Sequence, residues 1–398
     1  MVAVGYMDPG NWATNIAGGS MFGYTLLFVI LLSNLFAMLL QHLALRLGIA
    51  SGLDLAQACR MYYSKPVNFV LWLLCEVAII ACDLAEVLGS ALALKLLFGI
   101  PMHWGVLITV LDVLLLLLLQ DKAFRILELI VAVLIGSILI SFLVDVFLAK
   151  PAWNMVLKGL LPDVAILKNP QMLYVAIGIL GATVMPHNLY LHSSIVKTRR
   201  IGPSEKEKRE AITYASIDST ASLFIAFFIN AFILILSASV FHFNGYKTIA
   251  DIRDAHVLLG PVLGSGLAAT LFALALLASG QNATLTGTLA GQIVMEGFLE
   301  LRLKPWVRRL LTRSIAVIPA FIVTLVSKEN ATGQLLILSQ VVLSMQLSFA
   351  VFPLVSFAGS RSKMNGMQAP LYLIIPAWII AFIICGLNIY LLIQTFAA

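Results

Sequence analysis

Two short segments combine residues that break helices with side chains that can bind a cation. One is Asp-Pro-Gly-Asn at residues 8–11, and the other is Gly-Ala-Thr-Val-Met-Pro-His-Asn at residues 181–188. Proline lacks a backbone N–H and clashes with the preceding helical turn, so each segment should interrupt an apolar helix and leave carbonyl groups unpaired. Such groups are tolerated at membrane depth only where they line a protein cavity. Both segments are therefore candidate parts of one binding site.

The donor atoms at the two breaks favour a transition metal. Asp8 supplies a carboxylate, Asn11 supplies an amide oxygen, and the unwound backbone supplies carbonyl oxygens, for which Gly5 and Ala182 are the candidates. Oxygen donors alone would suit Ca²⁺ or Mg²⁺. The thioether of Met185 shifts the preference towards softer ions such as Mn²⁺, Fe²⁺, Co²⁺, Zn²⁺ or Cd²⁺.

Three carboxylates form a second cluster. Glu76, Asp83 and Glu86 are spaced i, i+7 and i+10, which places them on one face of a helix. Carboxylates inside a membrane are costly and mark proton routes, and a paired structural network is the alternative. We expect a proton that leaves Asp8 to pass Asp83 and to exit by Glu76. Three arginines could pair with Glu76: Arg308, Arg309 and Arg313. We include Arg309 and Arg313 in the predicted proton pathway.

Two histidines follow the second break, His187 and His192. A histidine of ordinary pKa titrates between about pH 5 and 8, which suits proton transfer or pH gating. We predict a proton-linked role for both, with buried polar packing as the alternative. Direct metal ligation by His187 would raise affinity for Zn²⁺ and Cu²⁺ and impede release. Asp112 and Asn230 are further candidates for the same polar network.

The composition places these residues in a membrane protein. The chain has 398 residues, of which 61% are hydrophobic and 11% charged, whereas soluble domains carry about 25% charged residues. This excludes a soluble enzyme, a disulfide scaffold and a disordered regulator. The net charge of +6 and the four cysteines indicate neither a nucleic-acid partner nor a disulfide framework.

Apolar stretches predict eleven membrane spans. In chain order, spans 1 to 11 are residues 1–18, 23–45, 68–98, 103–120, 126–148, 171–198, 214–241, 262–298, 312–327, 332–358 and 369–396. Lysine and arginine are concentrated in alternate loops, so the positive-inside rule predicts a cytoplasmic N-terminus and an extracytoplasmic C-terminus. We therefore expect a multi-pass protein of the cell membrane.

The two breaks fall in spans 1 and 6, five helices apart. Interrupted helices at matching places in two halves are typical of transporters built from inverted repeats. We predict an all-α polytopic membrane protein with a single transmembrane domain over residues 1–398. Its first five-helix repeat covers about 1–148, its second about 171–358, and one extra helix covers about 369–396.

These motifs resemble the Nramp family of proton-coupled divalent metal transporters. The resemblance rests on residues 8–11, on Met-Pro-His-Asn at residues 185–188, and on Gly-Gln-Asn-Ala-Thr-Leu-Thr-Gly-Thr at residues 280–288, which continues to Gly291 and Gln292. It extends over nearly the whole chain. It implies proton-coupled uptake of Mn²⁺ or Fe²⁺, with Asp8, Asn11 and Met185 as ligands and with carbonyls near Gly5 and Ala182 assisting.

The resemblance also implies that a glutamine of span 10 approaches the metal. Gln340 and Gln346 are both candidates, and spacing does not separate them. Ser348 stands where the family often has proline after Gln-Leu, which could alter the bend of span 10 without changing the ligands.

Other functions fit the sequence less well. A symporter of amino acids or other small solutes on the same inverted-repeat fold is the main alternative, but it would favour a glycine-rich break over an acidic Asp8 facing Met185. An intramembrane metalloprotease would need a motif such as His-Glu-x-x-His, and His187 and His192 have the wrong spacing. We therefore expect no enzymatic activity and no cofactor. Metal ions, protons and the bilayer should be the partners of a functional monomer.

The start of the chain carries one further expectation. Seven residues precede Asp8, which as helix would extend about 10 Å, against about 15 Å from the bilayer midplane to the edge of its hydrocarbon core. The sequence therefore predicts that the first half-helix of span 1 is missing or that the start is misassigned.

Overall fold

The part of the chain that the structure describes is mostly helical. The computed structural model describes residues 6–120, 124–199, 201–246, 252–263, 266–301, 304–326 and 331–397, and no strand occurs in these ranges. In chain order the helices are α1 (Pro9–Phe22), α2 (Leu27–Ser51), α3 (Leu55–Tyr62), α4 (Lys65–Phe98), α5 (Met102–Gln120), α6 (Phe124–Ala149), α7 (Trp153–Gly159), α8 (Ala165–Lys168), α9 (Pro170–Val184), α10 (Pro186–Ile195), α11 (Glu205–Val240), α12 (Ile252–Leu263), α13 (Gly266–Leu299), α14 (Pro305–Val326), α15 (Ala331–Ala358) and α16 (Leu371–Ala397).

Several of these helices are suited to cross a membrane. Within the described ranges, six segments are long and apolar enough by length and composition: Leu27–Ser51, Lys65–Phe98, Pro170–Thr198, Glu205–Asn244, Thr332–Ala358 and Leu371–Phe396. Three shorter apolar helical segments lie at Met102–Leu111, Ile135–Ala149 and Leu310–Leu325. The protein is therefore a multi-pass, all-helical membrane protein. The count of eleven spans stays a prediction.

The described helices lie where the apolar stretches were expected, with differences at their ends. Span 7 was predicted from residue 214, but α11 begins at Glu205. The reason is a capping box, in which the Ser204 hydroxyl accepts from the N–H of Glu207 and the Glu207 carboxylate accepts from the N–H of Ser204. Four short helices, α3, α7, α8 and α12, lie between the predicted spans. Hydrophobicity alone predicts neither the early start of α11 nor the four short helices.

The first break lies directly before α1. Asp8 is the N-cap of this helix, and its Oδ1 accepts from the N–H of Asn11 at 2.8 Å. Pro9 occupies the first helical position, where the missing N–H has no intrahelical partner to lose. Helix α1 then runs to Phe22, beyond the predicted end of span 1, and ends at Gly23 with φ +63°.

The second break separates α9 from α10. Helix α9 ends at Val184, and α10 begins at Pro186. Met185 between them has φ +39° and ψ +100°, a backbone conformation that residues other than glycine rarely adopt. Because Pro186 has no N–H, the carbonyl of Ala182 loses the donor that would continue the helix. Span 6 is therefore two helices joined at a strained methionine.

The two breaks lie inside the helical bundle. Helix α1 packs against α4, α9, α11 and α15. Two glycines allow the closest approaches: a Cβ on Gly89 of α4 would overlap the ring of Pro9, and a Cβ on Gly10 would overlap the side chain of Gln340 of α15. The N-terminal end of α1 is thus held between α4 and α15, which brings these two helices to the first break.

Candidate metal-binding and proton-transfer site

Three of the predicted metal ligands lie together in the interior of the bundle. Asp8 and Asn11 are almost completely buried. The terminal amide of Asn11 lies 2.5 Å from Asp8 Oδ1 and 3.2 Å from the carbonyl oxygen of Ala182. Because both neighbours are acceptors, the amide nitrogen is the atom that fits there and donates to both. The side-chain amide of Asn11 thus links the two breaks, because it donates to an oxygen atom of each.

The second oxygen of the Asp8 carboxylate remains available. Oδ2 is buried and has no hydrogen-bond partner among the described residues. An ionised carboxylate in such a place is costly unless a proton or a cation compensates its charge. Asp8 is therefore suited to hold either.

Met185 contributes a buried sulfur atom at the second break. Its side chain is fully buried, and its Sδ accepts a hydrogen bond from Nδ2 of Asn188 at 3.4 Å. The predicted carbonyl ligand Gly5 lies outside the described residues. Within those residues no group of three or more His, Cys, Asp or Glu side chains is arranged to hold a metal ion. The candidate site therefore combines one carboxylate with neutral oxygen and sulfur donors.

The two glutamines of α15 have different surroundings. Gln340 lies against Gly10, its Nε2 donates to Ser339 at 2.9 Å, and its Oε1 is buried without a partner among the described residues. Gln346 lies beside Tyr190 of α10. Gln340 is thus in contact with the segment that carries Asp8 and Asn11.

Backbone carbonyls before Asp8 are held by side chains of two other helices. The Nδ2 of Asn230 in α11 donates to the carbonyl of Tyr6 at 2.9 Å, and Ser279 of α13 donates to the carbonyl of Met7. Asn230 in turn accepts from Asn15 at 2.9 Å. These bonds replace the helical hydrogen bonds that the break removes. Asn230 is thus part of the support of the site, and the Asp112 side chain lies outside the described part.

The carboxylates of α4 are paired with arginines of α14. Arg308 contacts Glu76 at 3.0 Å, and Arg313 contacts Glu86 at 3.2 Å. The second pair is completely buried on both sides. Asp83 is also fully buried, and it faces Gly287 of α13. The predicted stripe is therefore a face of α4 directed at α13 and α14, and Glu76 is paired with Arg308. The side chain of Arg309 lies outside the described residues.

The two histidines of α10 lie in separate networks. Nε2 of His187 is 3.7 Å from the sulfur of Cys82, which donates to Glu86 Oε1 at 3.6 Å. His192 Nδ1 is 2.7 Å from Gln41 Oε1, and the Nε2 of Gln41 donates to the hydroxyl of Tyr6. His187 is therefore linked to the carboxylates of α4, while His192 is linked to the chain just before Asp8.

Three residues of these networks escaped sequence reasoning. Cys82 is not among the residues that the sequence analysis singles out, although its position four residues before Glu86 places it on the same helix face. Gln41 and Ser279 carried no signal, because a single polar residue in an apolar span is more often a local packing feature. Only the contacts between helices identify them.

An aromatic trio closes one side of the candidate site. Trp12, the residue after Asn11, packs against Phe142 of α6 and Phe272 of α13, with ring centroids 4.7 and 5.1 Å apart. Phe142 and Phe272 also contact each other, at 6.3 Å. All three rings are fully buried. The three rings therefore pack together next to Asn11, four residues beyond Asp8 along α1.

Known proteins match the chain along almost its whole length. The family described as Natural resistance-associated macrophage protein-like, or Nramp, matches residues 1–394. The divalent metal cation transporter MntH of Nostoc sp. is 59% identical over 395 residues, which cover 99% of this chain and 89% of that protein. The protein of the same name from Xanthomonas campestris is 60% identical over 392 residues, which cover 98% and 88%.

A solved structure agrees with these relatives. A crystal structure of a mutant of the Eremococcus coleocola manganese transporter superimposes with a TM-score of 0.89 at 42% identity, covering 97% of this chain and 83% of that one. The match to residues 1–394 and the high identity to both bacterial relatives lead to one assignment. The chain belongs to the Nramp family.

Proposed function

We propose that the protein imports divalent transition-metal ions together with protons by alternating access. Mn²⁺ and Fe²⁺ are the main substrates in this proposal, and Co²⁺, Cd²⁺ and Zn²⁺ are further ones. The observation that carries the proposal is the meeting of Asp8, Asn11 and the Ala182 carbonyl, with the buried Met185 three residues after Ala182. Relatives and a structural neighbour named as divalent metal and manganese transporters support it.

The donor set suits a substrate that must be bound and then released. One carboxylate compensates only half of the charge of a divalent ion, and the remaining donors are neutral. In the proposal, Asn11 turns its amide so that the oxygen, rather than the nitrogen, faces the ion. The Met185 sulfur favours Mn²⁺, Fe²⁺ and Cd²⁺ over Ca²⁺ and Mg²⁺. Carbonyl oxygens of Ala182 and Gly5 complete the protein ligands.

Gln340 is the better candidate for the glutamine ligand of span 10. Its contact with Gly10 and its unpartnered Oε1 support this choice, whereas Gln346 lies beside Tyr190.

The proton leaves Asp8 through the carboxylate face of α4. We propose that binding of the metal to Asp8 releases the proton to Asp83, and that the proton exits near Glu76. The ion pairs Glu76–Arg308 and Glu86–Arg313 line this route and keep it polar, and Arg309 is a further candidate. His187 and His192 are proposed to adjust the route from the side of α10.

The arrangement of the spans completes the proposal. Eleven spans form two inverted five-helix repeats and one extra helix, with the basic loops and the N-terminus in the cytoplasm. The two breaks then lie at equivalent places of the two repeats, near the midplane, where alternating access places substrates. The unit of transport is the monomer in the cell membrane.

Reconstitution into liposomes tests metal transport and proton coupling together. Purified protein is placed in vesicles that contain a metal indicator and a pH indicator, and Mn²⁺ is added at fixed membrane potential. We expect Mn²⁺ entry accompanied by internal acidification, and neither with Asp8→Asn, which keeps the shape of the side chain but removes its charge. Asp163→Asn, an exposed carboxylate, is the matched control. Metal entry without acidification would refute proton coupling, and absence of Mn²⁺ entry would refute the proposed substrate.

A further inference from the structure

An apolar groove runs along the surface between α2 and α11. It has a volume of about 640 Å³, and its walls include Leu31, Leu35 and Met38 of α2 and Ile217, Phe224 and Phe227 of α11. Leu35, Ile217 and Phe224 are each more than half exposed. Both helices belong to segments that are long and apolar enough to cross a membrane, so the groove is open to lipid.

The groove has the length of one leaflet of a bilayer. Its α11 wall runs from Ser216 to Phe227, a rise of about 16 Å, and half of the hydrocarbon core of a bilayer is about 15 Å thick. An acyl chain of one leaflet therefore fits along the groove. Because lipid tails are as apolar as these walls, the walls alone prefer no particular lipid. Any preference must come from the polar groups at an end of the groove.

Two hydrogen bonds fix the register of the walls. Nδ2 of Asn34 donates to the carbonyl of Leu223 at 2.9 Å, and Nδ1 of His42 lies 2.8 Å from the hydroxyl oxygen of Ser216. The Ser216 hydroxyl itself donates to the carbonyl of Ile212 at 2.6 Å, so it accepts from His42. The two helices therefore run antiparallel, and the bond between His42 and Ser216 marks one end of the groove.

Two arginines lie beyond that end. Arg46 follows His42 by four residues, and Arg209 precedes Ser216 by seven, so they lie about 6 and 10 Å further along the same helix faces. The head-group region of a bilayer is about 5–7 Å deep, and long arginine side chains at these positions can reach it. The two guanidinium groups are close enough for their like charges to repel each other.

Both guanidinium groups have donors to offer. Nε of Arg46 donates to the carbonyl of Met367 at 3.2 Å and its Nη2 donates to the carbonyl of Gln368 at 3.1 Å, while its Nη1 makes no hydrogen bond to the residues that the structure describes. Arg209 pairs with Glu205, but both side chains are 61% exposed, and such surface pairs contribute little. An anion between the two arginines would relieve their repulsion and accept charge-assisted hydrogen bonds.

We propose that this groove binds an anionic phospholipid, whose acyl chain lies between α2 and α11 and whose phosphate lies between Arg46 and Arg209. Residues 197–210 carry six lysines or arginines and three glutamates, and basic segments at a membrane surface attract anionic lipids. The inference does not depend on the metal and proton steps of the proposed function.

A lipid in the groove would connect two helices that hold the chain before Asp8. Gln41 of α2 donates to the hydroxyl of Tyr6, and Asn230 of α11 donates to the carbonyl of the same residue. The lipid would thus stabilise the packing of α2 on α11 beside the first break. Its binding should therefore be visible in the stability of the folded protein.

Melting temperatures of the purified protein in a neutral detergent test the proposal. Dioleoyl phosphatidylglycerol should raise the melting temperature by about 3 °C or more, because a ligand that binds only the folded state stabilises it. Dioleoyl phosphatidylcholine has the same chains without the net negative charge and should raise it by less than about 1 °C. Glycerol phosphate has a phosphate without chains and should not raise it.

Four variants assign the effect to the groove and its arginines. Arg46→Gln and Arg209→Gln should each reduce the phosphatidylglycerol shift by about half or more, and without added lipid Arg209→Gln should melt as the parent does. Ala221→Phe fills the groove from an exposed position of its wall and should reduce the shift with both arginines in place. Lys208→Gln is the matched control, since this residue points about 100° away from Arg209 around α11, and it should leave the shift unchanged.

Three results would overturn the proposal. Equal shifts with phosphatidylglycerol and phosphatidylcholine would mean that the site does not select an anionic head group. A shift with glycerol phosphate as large as that with phosphatidylglycerol would mean that the arginines bind a free anion and that the groove holds no chain. A parental phosphatidylglycerol shift in Arg209→Gln or in Ala221→Phe would place the bound lipid elsewhere on the protein.

Discussion

Single residues set the chemistry at the two helix breaks. Asp8 is the sole carboxylate within residues 8–11 and 181–188, and the atoms nearest to it belong to neutral groups of Asn11. Met185 supplies the sole sulfur in the same two segments. Charge is therefore expected to control whether a cation binds at all, while the sulfur is expected to control which cation is preferred.

Removal of the sulfur should change metal selectivity more than transport itself. We expect Met185→Ala to weaken Cd²⁺ binding by about 1.4 kcal/mol or more, a factor of roughly ten, because a soft ion loses its soft ligand. Mn²⁺ transport should persist at reduced affinity, and Ca²⁺ or Mg²⁺ should compete better. Competition between these ions for uptake measures the change.

Met172→Ala is the matched control for this experiment. Met172 is also a buried methionine of α9, but it lies at the opposite end of that helix from the break. It should leave the order of metal preference as in the parent. An unchanged preference for Cd²⁺ over Ca²⁺ in Met185→Ala would remove Met185 from the ligands.

Helix α4 organises the site at the scale of secondary structure. Its C-terminal half contacts the break before α1 through Gly89, and its carboxylate face meets α13 and α14. The same helix therefore positions Asp8 and lines the proposed proton route. Small changes in its packing should affect both metal affinity and stability.

A methyl group at the contact between α4 and α1 should disturb the metal site. In Gly89→Ala the new Cβ would overlap the rigid ring of Pro9, so α1 must move away from α4 together with Asp8. Overpacking of this kind costs about 1–3 kcal/mol. We expect a higher KM for Mn²⁺ and a lower melting temperature in detergent. Both quantities can be measured on one preparation.

Gly136→Ala is the control for this helix substitution. Gly136 lies within α6, and a Cβ there would meet no atom within 4 Å. Alanine in a helix is favoured over glycine by up to about 1 kcal/mol, so stability should be equal or higher and the KM unchanged. Equal behaviour of the two alanine variants would refute the role of the close contact at Gly89.

The buried ion pair between α4 and α14 should be important for stability. Arg313 and Glu86 are both fully buried, so Arg313→Leu removes the cationic partner of a carboxylate in the interior, at a cost of about 3–5 kcal/mol. The double variant Arg313→Leu, Glu86→Leu removes both charges and should recover much of the loss. Melting temperatures of the purified variants measure this.

The exposed pair Arg209–Glu205 provides the comparison. Both side chains are 61% exposed, and surface pairs contribute about 0–1 kcal/mol. Arg209→Leu should therefore leave the melting temperature nearly unchanged. A loss in Arg313→Leu no larger than this would mean that the interior around Glu86 is hydrated.

In the proposed function, the molecule as a whole couples two ion movements along different paths. The metal donors belong to α1 and to the junction of α9 and α10, whereas the carboxylates with their arginines belong to α4 and α14. This separation implies that proton flow can be impaired while metal binding is preserved.

Asp83→Asn should separate the two ion movements. Mn²⁺ binding should remain near the parental level, because the proposed metal donors belong to α1 and to the junction of α9 and α10, whereas Asp83 belongs to α4 and lies against Gly287 of α13. Mn²⁺ entry should continue at a lower rate, driven by its own gradient and by the membrane potential, which supplies about 4.6 kcal/mol per 100 mV for a divalent ion. Internal acidification per metal ion, measured in liposomes at fixed voltage, should fall. Normal acidification per metal would mean that Asp83 is structural.

The helical membrane fold and the two helix breaks can be predicted from the amino-acid sequence. The long apolar stretches require a helical membrane protein, since every backbone polar group in a bilayer must be paired within its own helix. The Asp-Pro-Gly-Asn and Met-Pro-His-Asn segments break two of these helices through local backbone chemistry. Asp8, Asn11 and Met185 could be predicted from the sequence as candidate metal ligands, because each lies within a few residues of a break.

The partners across helices were decided by tertiary structure alone. Three arginines could have paired with Glu76, and two glutamines were candidates for the metal site. The rotation of α14 and α15 about their axes pairs Arg308 with Glu76 and places Gln340 against Gly10. Cys82, Ser279 and Gln41 enter their networks for the same reason. Hydrophobic periodicity specifies which face of a helix is buried but not which neighbour meets it, because that choice depends on the packing of side chains distant in sequence.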